Sequence, residues 1–580
     1  MTFYTPLPTP ALKVDGILEG GGTLGTAYVG AMLALARNGV WFQRVIGNSA
    51  GAITASLVAA GYDANEIDWL CAPQGMRRLP NGKADRPPNL PPNVEPIDFM
   101  DFLDAPKTAA ELDQSLKRQT ILWHLLKGLF LEKMVDELTK IKIKTPPLDV
   151  YVNKLVGKVL DIIPDNIFGA DPIPDSMEAD IKRGVAKVLQ GYPKELGLDP
   201  KLFEMAVALR EKFADVVVDA VININTLTVS PFGVLWFQLT NRGGFCKGDK
   251  FYFTMRNLIE AKVKQLTKYS GQVTFQHLPI DLTMIASDTT NRKMLVYNKN
   301  LTSKMEVALA VRQSMSLPIL FAPDRRGGKV IADGGLYENY PTWFYGAPTF
   351  SDYISQTPDD IKRPKFAMLL DEGMECPPEW KAPPPPFPDG ADLWEVLLKD
   401  FKGAVTRGGD EKVNEEKIYS EIYMLKYVWD LISIQFGGGA LDWTRKLVTD
   451  LARTLYPSFH EVVVPLYGFH LVDFTVNHEA ATFNSIAFRG WRAAIQTLEA
   501  GQATLLPNTK TLIKTNPYAQ ASRGAASPRA LKTNGKPSAA KTNGRANANG
   551  GSAANTNRKA SATATSRKTS KKASASRRLK

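Results

Sequence analysis

A serine between two glycines is the first residue of this chain whose setting could do chemistry. Val45 to Leu57 reads V-I-G-N-S-A-G-A-I-T-A-S-L. Apolar residues lead into Gly47, Ser49 stands at the centre, and Gly51 opens an alanine-rich, helix-prone run. The order is strand, sharp turn, helix. Glycines two before and two after the serine remove the β-carbons that would obstruct such a turn. The turn, with Asn48 and Ala50 flanking the serine, would lift the Ser49 hydroxyl from the sheet edge to the N-terminus of the helix. Free N–H groups and the positive end of the helix dipole favour developing negative charge there. Ser49 is therefore a candidate nucleophile, and a turn that is merely tight is the alternative.

A second glycine cluster precedes it. Gly20-Gly21-Gly22-Thr23-Leu24-Gly25 follows an apolar run from Leu12 to Leu18 and opens a helical run through Arg37. The spacing fits G-x-G-x-x-G, the dinucleotide fingerprint, which expects an acid about 20 residues on for the ribose. No Asp or Glu lies between Glu19 and Asp63, so a nucleotide-binding protein using Gly20–Gly25 is a weak reading. No Walker-type G-x-x-x-x-G-K-[ST] occurs either. The same bare amides suit an oxyanion hole for a tetrahedral acyl intermediate. Neighbouring parallel strands would bring the loop beside Ser49 at the C-terminal edge of the sheet, where α/β sites lie.

The nucleophile needs a base. Asp333, in V-I-A-D-G-G-L-Y-E-N-Y-P, follows a short apolar strand and precedes Gly334-Gly335. A carboxylate at a strand end in a partly dry cleft has a raised pKa and is a better base than one in water. An ordinary Asp-Gly turn is the alternative. The five histidines, His124, His277, His460, His470 and His478, lack a strand-end setting with a neighbouring acid. Only two strands precede Ser49, fewer than in an ordinary α/β-hydrolase, which argues against a Ser-His-Asp enzyme of that fold. No ligand cluster has metal spacing, so neither a metal nor another cofactor is expected.

The elements that must position these residues read as β-loop-α-β-turn-α over the first 60 residues, the start of a parallel α/β sheet. The second strand is expected over Gln43–Ile46. More parallel-sheet material is expected at Ile280–Ala286, Lys329–Ala332 and Lys365–Leu370, a helix over Met305–Arg312 and a closing helix over Asn484–Glu499. Between them lie a mainly helical insertion at about 63–270 and another at about 373–460. Within the first, Thr120–Met134 is strongly apolar and reads as a buried core helix, or else as a lid or membrane-contacting helix. The chain has 580 residues, 44% hydrophobic and 22% charged, as in a globular protein. Its three cysteines suggest no disulfide framework. No signal peptide and no run long enough to span a membrane is seen, so a cytoplasmic or peripherally membrane-associated location is expected. The net charge of +12 belongs to the tail: residues 501–580 hold 17 Lys and Arg and no Asp or Glu, which leaves 1–500 at −5. That Ala/Ser/Thr/Asn/Lys-rich tail cannot bury enough apolar surface to order itself and is expected to be disordered.

The ordered trio G-G-G-x-x-G, G-x-S-x-G and D-G-G resembles the patatin-like phospholipases, lipid acyl hydrolases with a Ser-Asp dyad. Ser314-Met315-Ser316-Leu317-Pro318 is similar to the family's small-residue-plus-Pro segment, and Asn339-Tyr340-Pro341 to its N-x-P. The resemblance implies a three-layer α/β/α fold with Ser49 as nucleophile, Asp333 as proton acceptor and Gly20–Gly25 as oxyanion loop. It also implies phospholipid or lysophospholipid substrates and peripheral membrane contact. Leu24 departs from the family, which usually carries Lys or Arg there. A different class remains open: a non-enzymatic scaffold whose basic tail binds anionic lipid or nucleic acid.

Overall fold

The computed structural model describes residues 4–73, 86–106, 242–345, 356–387 and 458–518 (510 excepted), with short helical pieces within 176–187, 238–239, at 396 and within 447–456. All of them lie in one compact unit, Met1–Ala525. In chain order the strands are β1 (Leu12–Leu18), β2 (Val40–Gly47), β3 (Gly244–Cys246), β4 (Asp281–Asp288), β5 (Lys293–Asn298), β6 (Ile319–Phe321), β7 (Asp324–Arg326), β8 (Lys329–Asp333), β9 (Lys365–Asp371) and β10 (Phe459–Pro465). The helices are α1 (Thr26–Arg37), α2 (Ala50–Ala60), α3 (Ala64–Cys71), α4 (Asp249–Thr267), α5 (Val307–Ser314), α6 (Pro358–Lys362) and α7 (Ala480–Leu505).

This is a mixed α/β fold around an eight-stranded sheet. Its order is β10-β9-β1-β2-β4-β8-β7, with β5 also on β4. The first five are mutually parallel, whereas β5, β7 and β8 run antiparallel to their neighbours. The apolar alternation of the strands sorts into two cores. Val14, Leu18, Val45, Met284 and Met368 face a large one shared with α1, α2, α4, α5 and α7. Ile17, Ile46, Ile285 and Ala367 face a smaller one closed by Tyr340, Phe344 and Tyr345. The expected helical third layer on this second face lies outside the described residues. On the first face α1 and α7 cross with backbones in contact: a β-carbon on Gly30 would lie 1.7 Å from the Ala487 carbonyl oxygen.

Two charged residues sit mid-strand. The β1–β2 register shifts between Val14 and Asp15, which sets Asp15 opposite Arg44 rather than Gln43. The bulge thereby converts a mismatch into a buried ion pair, with Arg44 Nε 2.9 Å and Nη2 2.5 Å from the two carboxylate oxygens. Arg363 adds a third hydrogen bond to Asp15 at 2.9 Å.

Several expectations shift. Strand β8 joins the sheet antiparallel, because it enters from the β7 hairpin beyond the edge instead of crossing under the sheet. Helix α7 begins at Ala480 and ends at Leu505, and the chain beyond it stays packed. Leu506, Leu512 and Tyr518 are buried, Ile513 exchanges hydrogen bonds with Asn38, and Tyr518 donates to Asp68. Leu505, Leu506, Leu512 and Tyr518 thus find the core, and packed chain continues to Tyr518 rather than stopping at residue 500. Of the 63–270 insertion, α3, residues 86–106, β3 and α4 are the main described parts. The Thr120–Met134 segment, His124 and the tail beyond Tyr518 lie outside the described residues, as does most of 373–460. No helix among the described residues is long and apolar enough to cross a membrane.

Candidate active site

Strand β4 brings the two candidate reacting groups together. One of its edges carries β5 over Thr283–Asp288. The other carries β2 as far as Gly47 opposite Met284, and then β8, arriving from the opposite direction, with Asp333 opposite Ala286. Strands β2 and β8 therefore meet head to head along one edge of β4, and the turn after β2 holds Ser49.

The serine turn is strained. Ser49 has φ 50° and ψ −119°, a conformation costly to a residue with a side chain. Its N–H donates to Ser314 Oγ at 3.1 Å. Gly51 allows the turn to close: a β-carbon there would lie 2.3 Å from the Leu18 carbonyl oxygen. Ser49 and Asp333 are both buried, Asp333 completely. Asp333 Oδ1 accepts from the Gly335 N–H at 2.8 Å. Burial pushes the Asp333 pKa up to about 7, against the lowering effects of that N–H and of the Ser49 side chain. Oδ2 has no partner at standard hydrogen-bond geometry, so serine and carboxyl interact without a fully formed bond. Such contacts often tighten only when substrate is bound.

The glycine loop lies against the same turn. A β-carbon on Gly20 would come 3.1 Å from Ser49 Cβ, and one on Gly25 2.9 Å from Ala50 Cβ. Its amides are not equivalent. Gly20 N–H donates to the Asn339 carbonyl, Thr23 N–H to Leu471, and Leu24 N–H to Gly21. Those of Gly21 and Gly22 donate to no partner among the described residues. The Leu471 carbonyl also closes over Gly22, 2.0 Å from where a β-carbon would sit. A segment lying on the loop leaves a pyrophosphate little room, which adds to the case against a nucleotide site. Leu24 is fully buried in the main core and contributes packing beneath the loop.

From Ser49 and Gly22 opens a channel with an almost wholly apolar lining. Val29, Ile53 and Leu57 form one wall, and Phe99, Phe102 and Phe474 another. The Ile97–Phe102 segment is tied down by Asn477, whose Nδ2 donates to the Ile97 carbonyl at 2.6 Å, and by a 2.6 Å His478–Asp98 contact. Sequence reasoning missed this wall, since nothing local marks Phe99 and Phe102 as neighbours of Ser49. It also gave no role to Ser314 or Asn339, although both stand in motifs it singled out.

The four described histidines are engaged elsewhere. His277 stacks on Tyr269, His460 on Phe366 and His470 against Phe387, while His478 meets Asp98. No His is among the residues that line the channel. Among the described residues no group of three or more His, Cys, Asp or Glu is placed to hold a metal ion.

The family model for the patatin-like phospholipases matches residues 16–157 and 202–344. Among individual proteins, an uncharacterized protein of Bacillus subtilis, YqhO, is 28% identical over 172 residues, which are 28% of this chain and 51% of that protein. The chain thus spans about half the length of this curated relative. Among solved structures, VipD from Legionella pneumophila overlaps with 15% identity and a TM-score of 0.29, covering 86% of this chain and 72% of that one. Full-length ExoU from the type III secretion system of Pseudomonas aeruginosa, solved with SpcU, overlaps with 15% identity and a TM-score of 0.20, covering 89% and 77%. The two matched segments hold the glycine loop, the serine turn, the Ser314–Pro318 stretch and the aspartate turn, and over them the chain carries a patatin-like phospholipase domain.

Proposed function

We propose that the protein is a lipid acyl hydrolase of phospholipase A or lysophospholipase type, acting on fatty-acyl esters through a Ser49–Asp333 dyad. One observation supports the reading: β2 and β8 meet on β4, which brings the Ser49 turn and Asp333 to one edge of that strand, and Ser49 lines an apolar channel. The channel would take the acyl chain. Asp333, deprotonated, removes the Ser49 proton as the oxygen attacks the ester carbonyl, and the Gly21 and Gly22 amides receive the oxyanion. Asp333 returns the proton to the departing alcohol, leaving an acyl-enzyme. Water then adds to the acyl carbon, its proton passing to Asp333, and collapse of the second intermediate frees the fatty acid and restores the Ser49 hydroxyl.

A fluorophosphonate probe should label Ser49, and the labelling rate should depend on pH. The Asp333 carboxyl, pushed up to about 7 by burial, is a base only when ionised. The rate is expected to rise through a single ionisation near pH 7 and to fall below it. Labelling at a different serine, or a rate already maximal at pH 5, would contradict the assignment.

The partners belong to the same reading: a phospholipid or lysophospholipid, a membrane surface touched peripherally, and an anionic lipid or nucleic acid for the tail. The 15 Lys and Arg after Tyr518 supply roughly 1 kcal/mol each near an anionic bilayer, screened by salt. Because the fold runs to Tyr518, the test truncation begins after that residue. It should weaken binding to anionic vesicles or DNA and spare hydrolysis of a small soluble ester. Loss of both together would place the tail in the fold.

A further inference from the structure

Beside the dyad lies a row of polar side chains that the mechanism does not use. Ser49 N–H donates to Ser314 Oγ at 3.1 Å. Ser314 Oγ donates to Asn48 Oδ1 at 3.4 Å. Asn48 Nδ2 donates to Asn339 Oδ1 at 3.1 Å. Asn339 Nδ2 donates to the Gly20 carbonyl at 3.0 Å and to Glu19 Oε1 at 3.3 Å. The other Glu19 oxygen accepts from the Leu370 N–H at 2.8 Å. The direction is set at both ends, because the Ser49 N–H can only donate and the Gly20 carbonyl can only accept. Both Asn amides are thereby oriented.

The same residues are wedged sterically. A β-carbon on Gly334 would lie 2.0 Å from Asn48 Oδ1. One on Gly20 would lie 2.8 Å from Asn48 Nδ2 and 2.3 Å from Asn339 Oδ1. The Asn48 side chain thus fills the space between the glycine loop and the aspartate turn. Asn48 and Ser314 are buried, and Asn339 is half-buried.

We infer that Ser314, Asn48 and Asn339 are positioning residues: a directed hydrogen-bond chain that supports the strained Ser49 backbone and sets the glycine loop and the Asp333 turn at fixed distances from it. The inference rests on the reading of Ser49 as nucleophile. Ser314 acts on the nucleophile's backbone, Asn48 on the gap between the two donor and base segments, and Asn339 on the start of the glycine loop. A buried N–H or amide left without its partner destabilises the geometry at that point, and a small misplacement of reacting groups costs rate more than binding.

The test uses the full chain with a soluble ester and a fluorophosphonate probe. Ser314→Ala is expected to lower kcat and the labelling rate together by about 10- to 100-fold, with KM within about two-fold of wild type. Asn339→Ala, at a half-buried position that tolerates truncation, should move in the same direction. The double variant should lose less than the product of the two, as members of one unit do. Asn48→Asp places a negative charge against the turn that carries Asp333 and should move the midpoint of the pH–rate curve upward. Wild-type labelling rates in folded Ser314→Ala and Asn339→Ala would overturn the inference alone, as would losses confined to KM. Probe on a serine other than Ser49 in the wild-type protein would overturn the reading of the nucleophile, and this inference with it.

Discussion

Ser49→Ala is expected to abolish acyl transfer, and Asp333→Asn to lower it by about 10³-fold or more, in the range of triad deletions. In the proposed dyad the carboxyl acts on the serine directly, with no imidazole between them. Asn keeps the shape and can still accept from the Gly335 N–H, but it takes no proton. The double variant should be little worse than either single, because the two act as one unit. Replacing His277, His460, His470, His478 or His124 singly should leave the rate of the folded protein largely intact. Single-turnover release of fatty acid decides this. A folded histidine variant as inactive as Ser49→Ala, beside an active Asp333→Asn, would point to a Ser-His mechanism instead. Asp333→Asn carries a second signature. The folded-state pKa of Asp333 lies near 7 against 3.8 for a free carboxyl, so ionising it in place costs stability. The cost is absent below about pH 4, grows as pH rises, and is complete above about 7. The variant, free of it, should be more stable than wild type at pH 8, by at most about 4 kcal/mol. The gap should close toward pH 4. A variant less stable at every pH would mean that the carboxylate has a stabilising partner.

Asp15→Ala should be the most damaging single change outside the channel. Asp15 is wholly buried and holds both Arg44 and Arg363. Lys365 lies 3.9 Å away, its pKa lowered to about 8 by burial. Removing the carboxylate leaves Arg44 buried in the sheet over the Tyr345 ring with its principal counter-charge gone. Breaking a buried pair from one side costs about 3–5 kcal/mol. Denaturant unfolding at pH 7 measures the loss. Asp15 pairs with the first residue of β9, and Arg44 with the first of β4. The cluster thus sits toward the N-terminal ends of the strands, away from Ser49. The kcat of the folded fraction should be unchanged. A loss below about 1 kcal/mol would show that water or a shifted Asp360 takes over the charge.

What could be read from the sequence was local. Strands β1, β2, β4, β8 and β9 and helix α7 follow from apolar runs bounded by glycine and polar residues, and the three glycine motifs name Ser49, Asp333 and the loop. Strand β10 was missed although Pro457 and Pro465 bracket it, because F-H-E-V-V-V-P is short and carries His460 and Glu461 in its first half. Strand β5 was missed because K-M-L-V-Y-N is short and half polar. The antiparallel course of β8 depends on the β7 hairpin, which no periodicity reveals. The hydrogen-bond chain through Ser314 and Asn339 joins residues more than 260 positions apart, and the Phe99 and Phe102 wall is likewise a product of folding. Charge alone could not distinguish 501–518 from the tail, since its few apolar residues are spaced without a period.

The head-to-head meeting of β2 and β8 has a consequence for how this protein can change. Gly47, two residues before Ser49, and Asp333 are both indexed to β4, two register steps apart at Met284 and Ala286, and not to each other through the intervening chain. The ruler is a strand that neither group belongs to. Chain added or removed between residues 106 and 242 therefore does not enter the register that spaces the serine turn and the carboxylate. The insertion can lengthen or shorten while that spacing stays in calibration.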